Sequence, residues 1–425
     1  MIRNYLKIAL RVLFRRKVFT LISLFAISFT LIVLMVATSL LDHVFGAFPP
    51  ETRSERTLGV YRLSMSGERP DHKGSTYVHN GEPGYAFLDR YVRTLPGVEN
   101  VTVFSEPTSV VSYKDGSKIA SWLKRADGEF WEVMQFDFLE GGAFTRDDEK
   151  NANFVAVINE TTRDRFFGGG GGPPAVGKTI EADGQRFRVV GVVRNVPFFR
   201  VVPFADIWVP IGTTKSDSYK REFVGNFMSL ILAKSRSDLP RIREEFQAAL
   251  TRAESELPDP RTFQHLHGGA ETLFESVSRG LLGENLEESR PGLLLAIVGL
   301  FMLLFMLLPA INLVNLNVSR IMERASEIGV RKAFGASSRT LVGQFVTENL
   351  VLTLIGGAIG LAGSEVVLHA LNTSGVVPYA QFHVNLRIFG NGLLLAVFFG
   401  VLSGVWPAWR MSRLHPVEAL RMRTR

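Results

Sequence analysis

Cysteine is absent from the 425 residues, so no disulfide braces the fold and cysteine usage carries no information about redox compartment. Acidic residues are absent from the first 17 positions, which carry Arg3, Lys7, Arg11, Arg15, Arg16 and Lys17. No nucleophile elbow, metal-binding helix pair or acid pair occurs at a readable spacing, so catalysis by this chain is not expected. Formal charge is missing from Val18 to Leu41, Pro291 to Ser319, Leu350 to Ser364 and Ile388 to Trp409.

Those charge-free runs account for much of the 46% hydrophobic content. About 20 apolar residues suffice to span a bilayer core, and three of the runs reach that length. The run from Leu350 is only 15 residues long, flanked by Gln344, Glu348 and Glu365. Its glycines at 356, 357, 360 and 363 favour close helix packing, so it reads as a buried membrane helix. The first run exceeds the roughly 7–15 residues of a signal sequence and ends without a small-x-small cleavage site, so it reads as a retained anchor. Ahead of it, Arg3, Lys7, Arg11 and Arg15 recur at every fourth position. That spacing fits an interfacial basic helix and equally fits ordinary flanking charge; both give the same orientation.

The segments 1–17, 318–340 and 410–425 together carry sixteen basic and three acidic residues, whereas 42–290 carries a net charge of −5. Basic short segments inside and a mildly acidic domain outside follow the positive-inside pattern. The net charge of +7 thus reflects membrane topology, and nucleic acid is not an expected partner.

The expected fold is an α-helical membrane protein with four transmembrane helices and a large α+β extracytoplasmic domain inserted between the first two. The boundaries are a cytoplasmic N-terminal segment 1–17, helices at 18–41, 291–317, 341–371 and 388–409, the domain at 42–290, a cytoplasmic loop at 318–340, a short outer loop at 372–387 and a cytoplasmic tail at 410–425. Within the domain, strand composition marks Tyr61 to Met65, Val101 to Ser105, Val110 to Tyr113, Ile119 to Lys124, Phe154 to Ile158 and Phe227 to Lys234. Asp183-Gly184 turns a hairpin over Thr179 to Val193. Helical spacing covers Gly84 to Leu95, Glu160 to Phe167 behind an Asn159 cap, and Asp238 to Leu250. Glu271 to Glu288 reads as a helical stem.

Gly172, Gly177, Lys178 and Thr179 satisfy the phosphate-loop pattern. The match is judged false: it follows a helix, leads into a strand, and includes two prolines that remove amide donors from any cradle. His265 and His267 sit on one strand face with no third ligand at readable spacing, so no metal is expected. Glu348 and Glu365 lie at the two ends of the third apolar run, where an ionisable group is a functional hypothesis; pairing or snorkelling to the interface is the alternative.

The most informative stretch joins the second and third apolar runs. Arg320, Arg324, Arg331 and Lys332 alternate there with Glu323 and Glu327, beside the apolar Ile321, Ile328, Val330 and Phe334. A charged helix with a small apolar face is built to dock on a partner. A solvated positive-inside loop would explain the charges but not the apolar positions.

From Ser319 to Ser337 the sequence SRIMERASEIGVRKAFGAS resembles the FtsX-like and MacB-like permeases of ABC transporters, with Glu327-Ile328-Gly329, Arg331-Lys332-Ala333 and Gly335-Ala336 as the typical steps. The resemblance continues through Gln344, Phe345 and Glu348 to Pro407-Ala408 and His415-Pro416-Val417-Glu418-Ala419-Leu420-Arg421. In the ectodomain it rests on Leu139-Glu140-Gly141-Gly142, Phe166-Phe167-Gly168, Val176-Gly177-Lys178 and Val189-Val190-Gly191-Val192.

This resemblance implies four membrane helices in the bacterial cytoplasmic membrane, both termini in the cytoplasm, and a coupling helix contacting a cytosolic ATPase through Arg324, Glu327, Ile328, Gly329, Arg331, Lys332 and Gly335. It also implies a separate ATPase subunit holding ATP and Mg, no cofactor in this chain, a second permease chain, and an adaptor or substrate protein outside. The Gly356-x-x-x-Gly360 and Gly400-x-x-x-Gly404 pairs permit close packing within or between chains, and Pro309 is a candidate bend in the second helix. Family members export macrolides or peptides, extract lipoproteins or control cell-wall hydrolases. Export or extraction driven by mechanical transmission is thus the expected function, and regulation of an extracytoplasmic partner without transport is the alternative. An ATPase-free receptor is the remote one.

Overall fold

The computed structural model describes residues 17–68, 76–114, 116–168, 174–257, 259–282, 289–323 and 337–412, together with 11, 13, 15, 330 and 334. Two compact units emerge. One comprises residues 43–294 with the short segment 377–380, the other residues 1–42, 295–376 and 381–425.

The first unit is built on strands β1 (Thr57–Val60), β2 (Leu63–Glu68), β3 (Thr76–Pro83), β4 (Val98–Ser105), β5 (Thr108–Lys114), β6 (Ser117–Ala126), β7 (Phe138–Gly141), β8 (Val155–Asn159), β9 (Thr179–Ala182), β10 (Gln185–Val193), β11 (Ile207–Pro210), β12 (Val224–Gly225), β13 (Phe227–Ala233) and β14 (His265–Gly268). Ten form one mixed sheet in the order β1-β13-β4-β6-β11-β8-β10-β7, with β5 on β6 and β9 on β10. β11 runs parallel to β6, and β8 parallel to β10. The other four make a small antiparallel sheet, β12-β3-β2-β14. All seven residues of β13 are buried, as a strand covered on both faces requires.

Among the described residues, the helices of eight residues or more are α1 (Lys17–Phe45), α2 (Glu160–Phe167), α3 (Leu239–Glu254), α4 (Leu273–Leu282), α5 (Pro291–Glu323), α6 (Ser338–Thr373) and α7 (Leu386–Ser412). Asn159 caps α2, its Oδ1 accepting from Thr162 N at 2.8 Å. α3 buries Ile242, Phe246, Ala249, Leu250 and Ala253, one stripe at helical spacing, in the core beneath β13. The Asp183-Gly184 turn joins β9 to β10, both residues having positive φ.

Three expectations need correction. The strand at Tyr61 to Met65 is broken: β1 ends at Val60 and β2 starts at Leu63, and Tyr61 packs against the core around Trp208. The helix over Gly84 to Leu95 is a short α-turn continuing into a π-helical turn, Leu88–Val92. The stem is helical over Leu273–Leu282, and residues 283–288 lie outside the described ones.

In the second unit, α1 and the Val342–Thr373 part of α6 are long and apolar enough to cross a membrane; the apolar parts of α5 and α7 among the described residues, Pro291–Leu307 and Leu386–Leu402, are shorter. The third apolar run therefore belongs to one of the two longest candidates. Its apparent weakness came from Gln344 and Glu348, which are 6% and 4% exposed, Gln344 Nε2 donating to Glu348 Oε1 at 3.0 Å. α5 continues through Pro309 without interruption.

Candidate functional site

Arg324, Glu327, Ile328, Gly329, Arg331, Lys332 and Gly335 lie outside the described residues. Two neighbours in the same stretch are described. Val330 is 46% exposed and Phe334 89%, and the Phe334 amide donates to the Val330 carbonyl at 3.1 Å. Ser337 caps the start of α6 through Thr340 N. The Phe334 ring is thus almost fully exposed among the described residues, in the stretch that joins α5 to α6.

The glycines of α6 meet other helices of the same chain. A Cβ at Gly356 would stand 2.8 Å from Ile27, and one at Gly360 3.0 Å from the Cβ of Leu31, both on α1. On α7, a Cβ at Gly400 would stand 2.7 Å from Thr353 Oγ1, and its carbonyl accepts from Asn349 Nδ2 at 3.3 Å. Gly404 lies where side-chain surroundings are not described. Glu365 is exposed on α6.

At the phosphate-loop match, the Gly177 amide donates to Val189 O at 2.8 Å and the Lys178 amide to Ala175 O at 3.1 Å. Those donors are spent on backbone, and Thr179 opens β9, not a helix; Gly172 lies outside the described residues. His267 shares a 2.8 Å hydrogen bond with Ser66 Oγ, and His265 faces Glu254 at 3.5 Å. Among the described residues no cluster of three metal-ligating side chains occurs.

What the sequence did not disclose is a node at the loop between β10 and β11. Arg200, 2% exposed, donates to the carbonyls of Phe48 at 2.7 Å, Pro49 at 3.2 Å and Gly46, and pairs with Glu51 at 3.2 Å. It thereby fixes the segment that leaves α1. Fully buried Lys124 on β6 donates to the carbonyls of Val201 at 3.0 Å and Val202, and lies over the Phe104 ring. Burial pushes the Lys124 ammonium down to about 7, against the pull of Glu51. Burial likewise raises the Glu51 carboxyl, opposed by Arg200 and Lys124. At the loop's end Asp206, 2% exposed, accepts from Trp122 N at 2.8 Å, Asn159 Nδ2 at 2.9 Å and Tyr379 Oη at 2.6 Å. The one available signal was Arg200 itself, a single charge within the apolar run Val196 to Ala205.

Nearby, a cavity of about 370 Å³ is lined by Phe45, Ala47, Glu51, Tyr61, Met134 and Phe274 among others. Elsewhere Asp127, fully buried, accepts from Thr102 Oγ1, the amides of Val103 and Phe130, and Arg93 at 2.6 to 2.9 Å. Burial raises its carboxyl to about 6. Four donors thus hold its carboxylate in place.

The MacB-like periplasmic core domain model matches residues 20–249, and the FtsX-like permease C-terminal model residues 299–416. The chain is 29% identical over 296 residues to a macrolide export ATP-binding/permease protein MacB from Nitrobacter winogradskyi, covering 69% of this chain and 42% of that protein. It is 22% identical to the uncharacterized ABC transporter permease YknZ from Bacillus subtilis, covering 79% of each. The chain spans about half, or less, of the length of the MacB proteins it matches. The extracellular domain of a YknZ transporter from Gram-positive bacteria covers 50% of this chain and 98% of its own, at 16% identity and a TM-score of 0.36.

Proposed function

Because the chain belongs to the family of ABC transporter permeases with a MacB-like periplasmic core domain and an FtsX-like C-terminal part, we propose that it transmits the ATP cycle of a cytosolic ABC ATPase to its extracytoplasmic unit. The stretch between α5 and α6 is the coupling helix, with Arg324, Glu327, Arg331 and Lys332 as polar contacts around Ile328, Gly329 and Gly335. The observation that carries this reading is Phe334, 89% exposed in a stretch whose sequence sets basic residues beside Glu323 and Glu327, an apolar group left for a partner to cover. ATP and Mg are held by the ATPase, and this chain supplies movement. Two permease chains flank two ATPase units, four helices per chain cross the membrane, and the unit at 43–294 moves a substrate, exported or extracted, on the outer side.

Affinity purification in detergent tests the docking residues. Wild type is expected to bring down an ATPase, and the variants Glu327→Lys with Arg331→Glu, and Phe334→Ser, are expected to lose it. Equal recovery by all three forms would remove the coupling role from this stretch. Stimulation of the recovered ATPase by a transported compound separates transport from regulation of an outer partner.

A further inference from the structure

The loop from Val196 to Ala205 inverts the usual rule for a surface. Its one charged residue, Arg200, is 2% exposed, whereas its neighbours Phe199 and Val201 are 36% and 47% exposed, and Phe198 39%. In water the guanidinium belongs outside and the phenyl rings inside. Here the backbone is held so that the reverse holds: Arg200 turns inward to three carbonyls and Glu51, Lys124 pins the carbonyls of Val201 and Val202 from below, and the Phe198 amide donates to Pro378 O at 3.1 Å. Beside Arg200, whose guanidinium lies 5.8 Å from the ring of Phe48, that ring is 47% exposed. A charge-free, fixed and aromatic surface of this kind marks a contact with protein or lipid.

Chain continuity selects lipid. Phe48 follows the last residue of α1 by three positions, at most about 10 Å of extended chain. The other tie, Pro378, lies in the connection between α6 and α7. Both segments that hold the loop are thus connections to apolar helices. We propose that Phe48, Phe198, Phe199 and Val201 form a membrane anchor that rests in the interfacial region of the outer leaflet. This rests on the reading that α1 spans the membrane. Phenyl rings and aliphatic groups without charge partition into that zone, at a depth of about 5–10 Å for comparable apolar faces, and the buried Arg200 keeps its charge from opposing insertion.

The absence of cysteine makes the test direct. Full-length protein is reconstituted into phosphatidylcholine nanodiscs with a single nitroxide at Phe48→Cys, Phe199→Cys or Val201→Cys, and collision rates with oxygen and with a water-soluble nickel chelate are compared. Phe25→Cys on α1, 63% exposed, is the lipid reference, and Tyr113→Cys on β5, 71% exposed, the aqueous one. Three independent positions guard against one substitution disturbing the fold. The expected result is an oxygen-to-nickel ratio several-fold above that of Tyr113→Cys at all three sites. A ratio equal to Tyr113→Cys overturns the anchor, as does immobilisation with shielding from both reagents, which would reveal a protein partner on this face. If Phe25→Cys also behaves as aqueous, the membrane reading of α1 falls first and the anchor with it.

Discussion

The Tyr379 hydroxyl donates to Asp206 Oδ1 at 2.6 Å across 173 positions of sequence, and so ties the segment between α6 and α7 to the end of the β10–β11 loop. Burial and the Asp206 carboxylate raise the phenol to about 12, so it remains a neutral donor at any physiological pH. Tyr379→Phe keeps the ring beside Phe204 and removes only the donor. A hydrogen bond to a charged group contributes about 1.5–3 kcal/mol, and faster amide exchange in 196–206 and 377–380 is the expected outcome. Unchanged exchange would mean that the Phe198–Pro378 bond holds the segment alone.

Arg200 bears more on stability. Arg200→Met leaves the partly buried Glu51 and the carbonyls of Gly46, Phe48 and Pro49 without that donor, and breaking a buried ion pair from one side costs up to about 3–5 kcal/mol. Thermal unfolding followed by tryptophan fluorescence is expected to show a much lower midpoint. Adding Glu51→Gln, which removes the stranded charge, is expected to restore part of it; full additivity of the two losses would show that they do not act on each other.

Local chemistry was legible in the sequence, and distant pairing was not. Asn159 announces α2 because the cap and the amide it accepts from are three residues apart, and Asp183-Gly184 announces its hairpin because the turn needs positive φ there. β11 carries no such signal. It has four residues, ends at Pro210, and takes its place only by pairing with β6 and β8, far away in sequence. Lys124 alternates correctly as a strand residue, but its burial depends on the carbonyls of a loop some 77 positions later. Between α5 and α6 the sequence offered both charge and apolar pattern, and the structure adds the exposure of Phe334 and Val330.

Lys124 is expected to write a pH dependence. Its folded value is lowered to about 7, whereas an unfolded lysine holds its proton to about 10.4. Between those values the unfolded chain binds more protons, so stability rises with pH, is fully present above the unfolded value, and is lost as pH falls through the folded one. The difference in unfolding midpoint between wild type and Lys124→Met, measured from pH 7 to 10, is therefore expected to grow in favour of wild type. A constant difference would mean that the ammonium stays charged in the fold.

The contact between α1 and α6 is equally open to test. A side chain at Gly360 must displace Leu31, whose Cβ would stand 3.0 Å from the new Cβ, and overpacking of this kind costs about 1–3 kcal/mol. Gly360→Leu is expected to lower the thermal midpoint of the detergent-solubilised chain, and Gly356→Leu, pressed on Ile27 at 2.8 Å, to do the same. A methyl group added at Gly343 on the same helix would meet nothing within 4 Å, so Gly343→Ala controls for helix propensity, where alanine gains about 0.5–1 kcal/mol. If Gly360→Leu instead behaved like Gly343→Ala, α1 and α6 would have to separate freely, and the glycine face would serve sliding and not fixed packing.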